Sequence, residues 1–104
     1  RDLDKAEEMS YKTVKAEPHN ATFLDTYAWI LFEKGNYAEA RIYIDNAMKS
    51  DQEKSDVIVE HCADISYMTG DVDRALKYWQ QALDMSSKSK TLKEKIKKKK
   101  YTAE

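Results

Sequence analysis

One cysteine, one proline and two glycines are all that 104 residues supply of the residue types that cross-link or interrupt a regular backbone. A lone Cys62 excludes an internal disulfide and leaves the redox compartment open. No paired-cysteine motif, glycine-rich phosphate loop or nucleophile elbow can be written from these residues. The chain is therefore read as having no enzymatic activity, no cofactor and no metal site. No apolar run approaches the roughly 18 residues that a membrane span needs. The opening RDLDKAEEMS has neither the basic end nor the apolar stretch of a secretion signal. What is plentiful is 41% hydrophobic and 36% charged residues, the balance of one small helix-rich domain.

Both glycines introduce nearly the same phrase. GNYAEARIYIDNAM starts at Gly35 and GDVDRALKYWQQAL starts at Gly70. Overlaying them pairs Tyr37 with Val72, Ala40 with Ala75, Ile44 with Trp79, Ala47 with Ala82 and Met48 with Leu83. Ala6, preceded by Leu3, extends the series to three, with the alanines 34 and 35 residues apart. A glycine that ends one helix with positive φ lets the chain reverse within a few residues.

Between these turns the apolar residues recur at helical spacing. Leu24, Tyr27, Ala28 and Leu31 predict a helix over about 21–34, and Tyr37, Ala40, Ile44, Ala47 and Met48 a second over 37–50. Val59, Cys62 and Ala63 predict a third over 56–69; Val72, Ala75, Leu76, Trp79, Ala82 and Leu83 predict its partner, ending near Met85. Small residues at Ala28, Ala40, Ala63 and Ala75 permit close approach of helix axes, with Ile44 and Trp79 filling the space beside them. This spacing and these residues resemble the tetratricopeptide repeat family. The resemblance implies an all-α fold of antiparallel helix-turn-helix repeats stacked as a right-handed superhelix. Its organisation would be an orphan second helix at 1–17, hairpins at 21–50 and 56–85, and a terminal capping helix at 88–101. Arg1 stands where the turn glycines stand, so the expectation is a C-terminal fragment of a longer array. Departures from the family pattern are Ser66 in place of a large residue, and a closing proline that occurs once, as Pro18, with Gln52 and Ser87 at the corresponding positions.

Charge is unevenly divided. Residues 88–104 hold eight Lys against two Glu, whereas residues 1–87 hold ten basic and seventeen acidic residues. The lysines could attract phosphates or anionic lipid. Yet no aromatic residues interleave to stack bases, and the acidic body repels a polyanion, so specific nucleic-acid binding is not expected. His61, Cys62 and Asp64 are close in sequence, but neighbouring residues on a helix point about 100° apart, so Cys62 turns inward with Ala63 while His61 and Asp64 lie off that face; with His19 distant, a metal site is not expected. Cys62 is read as a buried, inert thiol.

The resemblance implies that the first helix of each hairpin lines a concave groove receiving a segment of a partner. The work it implies is protein–protein interaction or scaffolding. Carried onto this sequence, the groove candidates are Thr22, Asp25, Trp29, Phe32 and Glu33, then Val57, Glu60, Asp64 and Tyr67. Asp25, Glu33, Glu60 and Asp64 favour a protein or peptide partner bearing basic residues, and the chain's own Lys-rich tail or a second copy's would meet the same preference. Trp29 follows Ala28 off the packing stripe. Either its indole is exposed for a partner or it packs against the helix of residues 3–17. A competing class of function is assembly, with residues 3–14 pairing against upstream repeats or in a homodimer. A third is adhesion to nucleic acid or membrane through the lysine tail.

Overall fold

A computed structural model of the chain describes residues 2–51, 55–85 and 88–103. Arg1, Gln52 and Ser87, to which the sequence assigned a turn position and two proline positions, lie outside them. The described residues form six helices and no strand: α1 (Leu3–Ala16), α2 (Ala21–Glu33), α3 (Tyr37–Ser50), α4 (Asp56–Met68), α5 (Val72–Asp84) and α6 (Leu92–Lys98). Helix starts are set by short polar side chains that occupy otherwise unpaired backbone N–H groups. The side chains of Asp2, Asn20, Ser55 and Asp71 accept from the N–H of Lys5, Phe23, Ile58 and Arg74.

The repetition extends to individual hydrogen bonds. In the first turn the N–H groups of Lys34, Gly35 and Asn36 donate to the carbonyls of Ile30, Phe32 and Leu31 at 3.1, 3.0 and 2.8 Å. In the second, Thr69, Gly70 and Asp71 donate to Ile65, Tyr67 and Ser66 at 3.1, 3.0 and 2.9 Å, the same pattern shifted by 35 residues. Gly35 and Gly70 take φ of +85° and +88°. No atom lies within 4 Å of where a Cβ would stand on either glycine, so Gly70→Ala meets no steric clash. Its whole effect is left-handed backbone strain, an expected loss of about 1–2 kcal/mol measurable by urea unfolding.

These links are too short for anything but antiparallel neighbours, and α2 with α3 and α4 with α5 form the two most closely packed pairs. Both hairpins bury the same positions. Ala28, Ala40, Ile44 and Ala47 in the first, and Ala63, Ala75, Trp79 and Ala82 in the second, are fully inaccessible. The α3–α4 junction adds a polar clamp. Arg41 donates to Thr69 Oγ1 and Asp71 Oδ2 at 2.9 and 3.1 Å, and Arg74 donates to Asp45 Oδ1 at 2.6 Å. Ser66, where the first hairpin has Leu31, donates to the Cys62 carbonyl at 2.7 Å and accepts from Arg74 at 3.2 Å. The small residue thus makes room for a guanidinium and leaves no buried hydroxyl unpaired.

The terminal helix is shorter than the 88–101 expected from sequence. Residues 88–91 are not helical, and the helix stops at Lys98 because Lys99 takes the left-handed conformation, φ +55°. The N–H groups of Lys99 and Lys100 donate to the Ile96 and Lys95 carbonyls at 3.3 and 3.2 Å, closing the helix end and turning residues 101–103 in a new direction.

Candidate functional site

The faces of α2 and α4 turned towards the C-terminal segment, together with the segment from Lys88 to Ala103, enclose an open cleft of about 1160 Å³. Its α2–α4 wall carries Trp29, Phe32, Glu33, Asp56, Val57, Glu60, His61 and Asp64, with no Lys or Arg among them. The lysines that line it, Lys88, Lys90 and Lys95, all come from the opposite wall. An acidic surface therefore faces a basic segment of the same chain, and Coulomb attraction across a partly desolvated gap favours the closure seen.

The strongest expression of that attraction is Lys95. Residues Leu92, Lys95 and Ile96 share a face of α6 by helical spacing; Leu92 is buried beside Trp79, and Lys95 is only 2% exposed. The Lys95 ammonium donates to Glu60 Oε2 at 2.8 Å and to Asp64 Oδ1 and Oδ2 at 3.0 and 3.2 Å. Asp64 Oδ1 also accepts from the Trp79 indole N–H at 2.8 Å. The expectation that Glu60 and Asp64 are open to a partner is therefore corrected. One cation from α6 already occupies both, because two carboxylates on the buried side of α4 need a counter-charge to leave water.

That cluster holds two carboxylates and one ammonium, an excess of negative charge. Burial pushes the Asp64 carboxyl up to about 6, against the opposing pull of Lys95 and the Trp79 N–H. Burial alone would lower Lys95, but Asp64 and Glu60 outweigh it and hold the ammonium above its ordinary value. The folded pKa of Asp64 exceeds the unfolded value of 3.8, so the folded state binds this proton more tightly and stability rises as pH falls through about 6 towards 4. Urea unfolding at pH 7 and pH 5 should show a gain of about 1 kcal/mol at pH 5 from this group. The gain should vanish in Asp64→Asn, since contributions common to both chains cancel in the comparison.

Trp29 resolves differently from both sequence readings. It is half-buried, and its ring partners come from α2 itself and from α4. The indole stacks on Phe32 at 4.4 Å and on His61 at 4.0 Å, the planes within 13° and 18° of parallel. His61 Nδ1 lies 2.7 Å from Asp25 Oδ1, which fixes the imidazole plane. Asp25 is thereby buried and paired, and it is not among the residues that line the cleft. The rings of Phe32 and Tyr101 form a T-shaped pair, with centroids 5.3 Å apart and planes at 79°. Glu33 is exposed at the cleft rim, whereas Tyr67 lies against Trp79 with ring centroids 5.9 Å apart. Thr22 borders a separate small depression with Asp25 and Val57.

His61 was set aside in sequence as a failed metal ligand. Its position four residues after Val57 and three before Asp64 places it on the same helical face as both, which is the signal that locates it. Cys62, one residue on, is fully buried, and burial pushes its thiol up to about 11, far from a reactive thiolate. Among the described residues no cluster of His, Cys, Asp or Glu could hold a metal ion, and no helix is long and apolar enough to cross a membrane. No protein-family model matches the chain, and no curated protein matches it.

Proposed function

We propose that the chain is a repeat module of the tetratricopeptide kind, its hairpins following a right-handed superhelical course, and that it holds a segment of another protein in the cleft between α2, α4 and the C-terminal segment. The carrying observation is the cleft wall itself: Trp29 stacked on two rings and ordered in advance, beside the carboxylates of Glu33 and Asp56. A large aromatic held rigid loses little freedom when a partner covers it, and an indole supplies both apolar area and a hydrogen-bond donor. The task needs surface complementarity and no reaction. The coincidence of the two turn hydrogen-bond patterns supports the repeat assignment.

A photo-crosslinking residue at Val57, 51% exposed in the cleft, should join a partner in cells, whereas one at Ile42, 60% exposed on α3 away from it, should not. Equal products from both positions, or none from Val57, would remove the reading. Assembly through α1 is the second reading, favoured by the exposure of Met9 and Tyr11. Molar mass that rises with concentration and falls back in Met9→Glu would select it.

A further inference from the structure

Eight lysines stand between residues 88 and 103 against a single acid, Glu94, and the fold sorts them into three groups. Lys95 is enclosed between Glu60 and Asp64, and Lys88 and Lys90 line the cleft. The other five, Lys93, Lys97, Lys98, Lys99 and Lys100, are exposed and are not among the residues that line it. Their direction is set by the apolar side of α6. Leu92 and Ile96 pack into the cluster around Trp79, so helical spacing turns Lys93 and Lys97 outward. Among the described residues, Lys98 is the one of the five with a salt bridge, to Glu94 at 2.5 Å. Lys93 and Lys97 are one helical turn apart, about 6 Å, inside the screening length of about 8 Å at physiological ionic strength, so their fields add.

We infer that this outer face of α6 adsorbs to a bilayer surface bearing anionic headgroups, as a second surface independent of the cleft. The kind of cation decides between polyanions. Residues 88–103 contain no Arg, and so lack the planar fork that pairs with phosphate through two parallel bonds and reads guanine edges. Their one aromatic side chain, Tyr101, is half-buried against Phe32, so no ring stands among the five lysines to stack a base. Lysine ammonium groups are point charges on flexible stems, suited to a leaflet whose anionic lipids can gather beneath them. The rest of the chain imposes an orientation, since residues 1–87 hold seventeen acidic against ten basic residues and the leaflet repels them. Adsorption is peripheral. By sequence α6 reads as the kind of amphipathic helix that sinks its apolar side into lipid, but Leu92 is fully buried in the protein core and is not free to insert.

The test is co-sedimentation of the full chain with phosphatidylcholine vesicles containing about 30% phosphatidylserine. The chain should bind these vesicles and not phosphatidylcholine alone. It should be released as salt rises from about 50 mM towards about 1 M, where the screening length is about 3 Å. Each lysine near an anionic leaflet strengthens binding about fivefold, so Lys93→Gln with Lys97→Gln should weaken it about 25-fold. Lys5→Gln with Lys12→Gln makes the same change in net charge at exposed positions of α1 and should weaken it less than about threefold. Equal losses from the two pairs would reduce the binding to net charge and overturn the inference. So would binding that survives high salt, which means insertion, and so would a duplex oligonucleotide held more tightly than the vesicles at equal salt. Absence of vesicle binding at about 50 mM salt, where charges are screened least, ends it directly. The crosslinks from Val57 report on the cleft and the vesicles on α6, so each reading can fail alone.

Discussion

Trp79→Ala is expected to lower the free energy of unfolding by about 3–5 kcal/mol, whereas Lys97→Ala on the exposed face of α6 should change it by less than about 0.5 kcal/mol. The indole is fully inaccessible and packs among Val59, Ala63, Ala75, Ala82 and Leu92, so truncation leaves a hole bounded by three helices. The small residues around it cannot expand to fill that hole. Asp64 Oδ1 also loses one of its two donors, keeping the Lys95 ammonium at 3.0 Å, and a lost hydrogen bond to a charged group adds about 1.5–3 kcal/mol at most to a substitution. Trp79→Phe separates the two effects, since it keeps an aromatic ring and removes only the donor. Urea unfolding of the three variants, with the slope checked for constancy, measures both. Equal losses for Trp79→Ala and Lys97→Ala would contradict the packing described.

Lys95→Met carries the second large effect, with an expected loss of about 3–5 kcal/mol if α6 stays docked. The methionine matches the length of the lysine stem but leaves Glu60 and Asp64 facing one another without a cation. Undocking α6 returns both carboxylates to water, so the global loss cannot exceed the free energy that holds α6 in place. The two routes differ in amide hydrogen exchange: a destabilised but docked chain exchanges faster throughout, and an undocked one exchanges fast in Leu92–Lys98 alone. Adding Glu60→Gln and Asp64→Asn to Lys95→Met should recover most of the loss, because neutral amides need no counter-charge. A Lys95→Met chain with wild-type stability and slow exchange in α6 would show that the ion cluster contributes nothing.

The fold was legible in the sequence where its determinants are local. Helical period, two turn glycines and the paired alanines fix four helices to within a residue or so of their observed ends, because each signal acts over a few residues of chain. The site was legible only in part. Trp29, Phe32 and Glu33 line the cleft, but what faces them depends on where a distant lysine comes to rest. Eight lysines look alike by composition; only the phase shared by Leu92, Lys95 and Ile96 sets one of them apart. His61 was misplaced for a related reason. It was weighed against its sequence neighbours Cys62 and Asp64, whereas its real partners, Asp25 and Trp29, are about one repeat away.

The buried ammonium also gives the chain a chemical signature. Of the eight lysines in residues 88–104, seven are exposed and Lys95 alone is enclosed, so an amine-acylating reagent modifies the seven and spares the eighth while α6 is seated. A label that appears on Lys95 therefore counts excursions in which the helix has lifted away, and its rate against reagent concentration times the opening of the cleft from within.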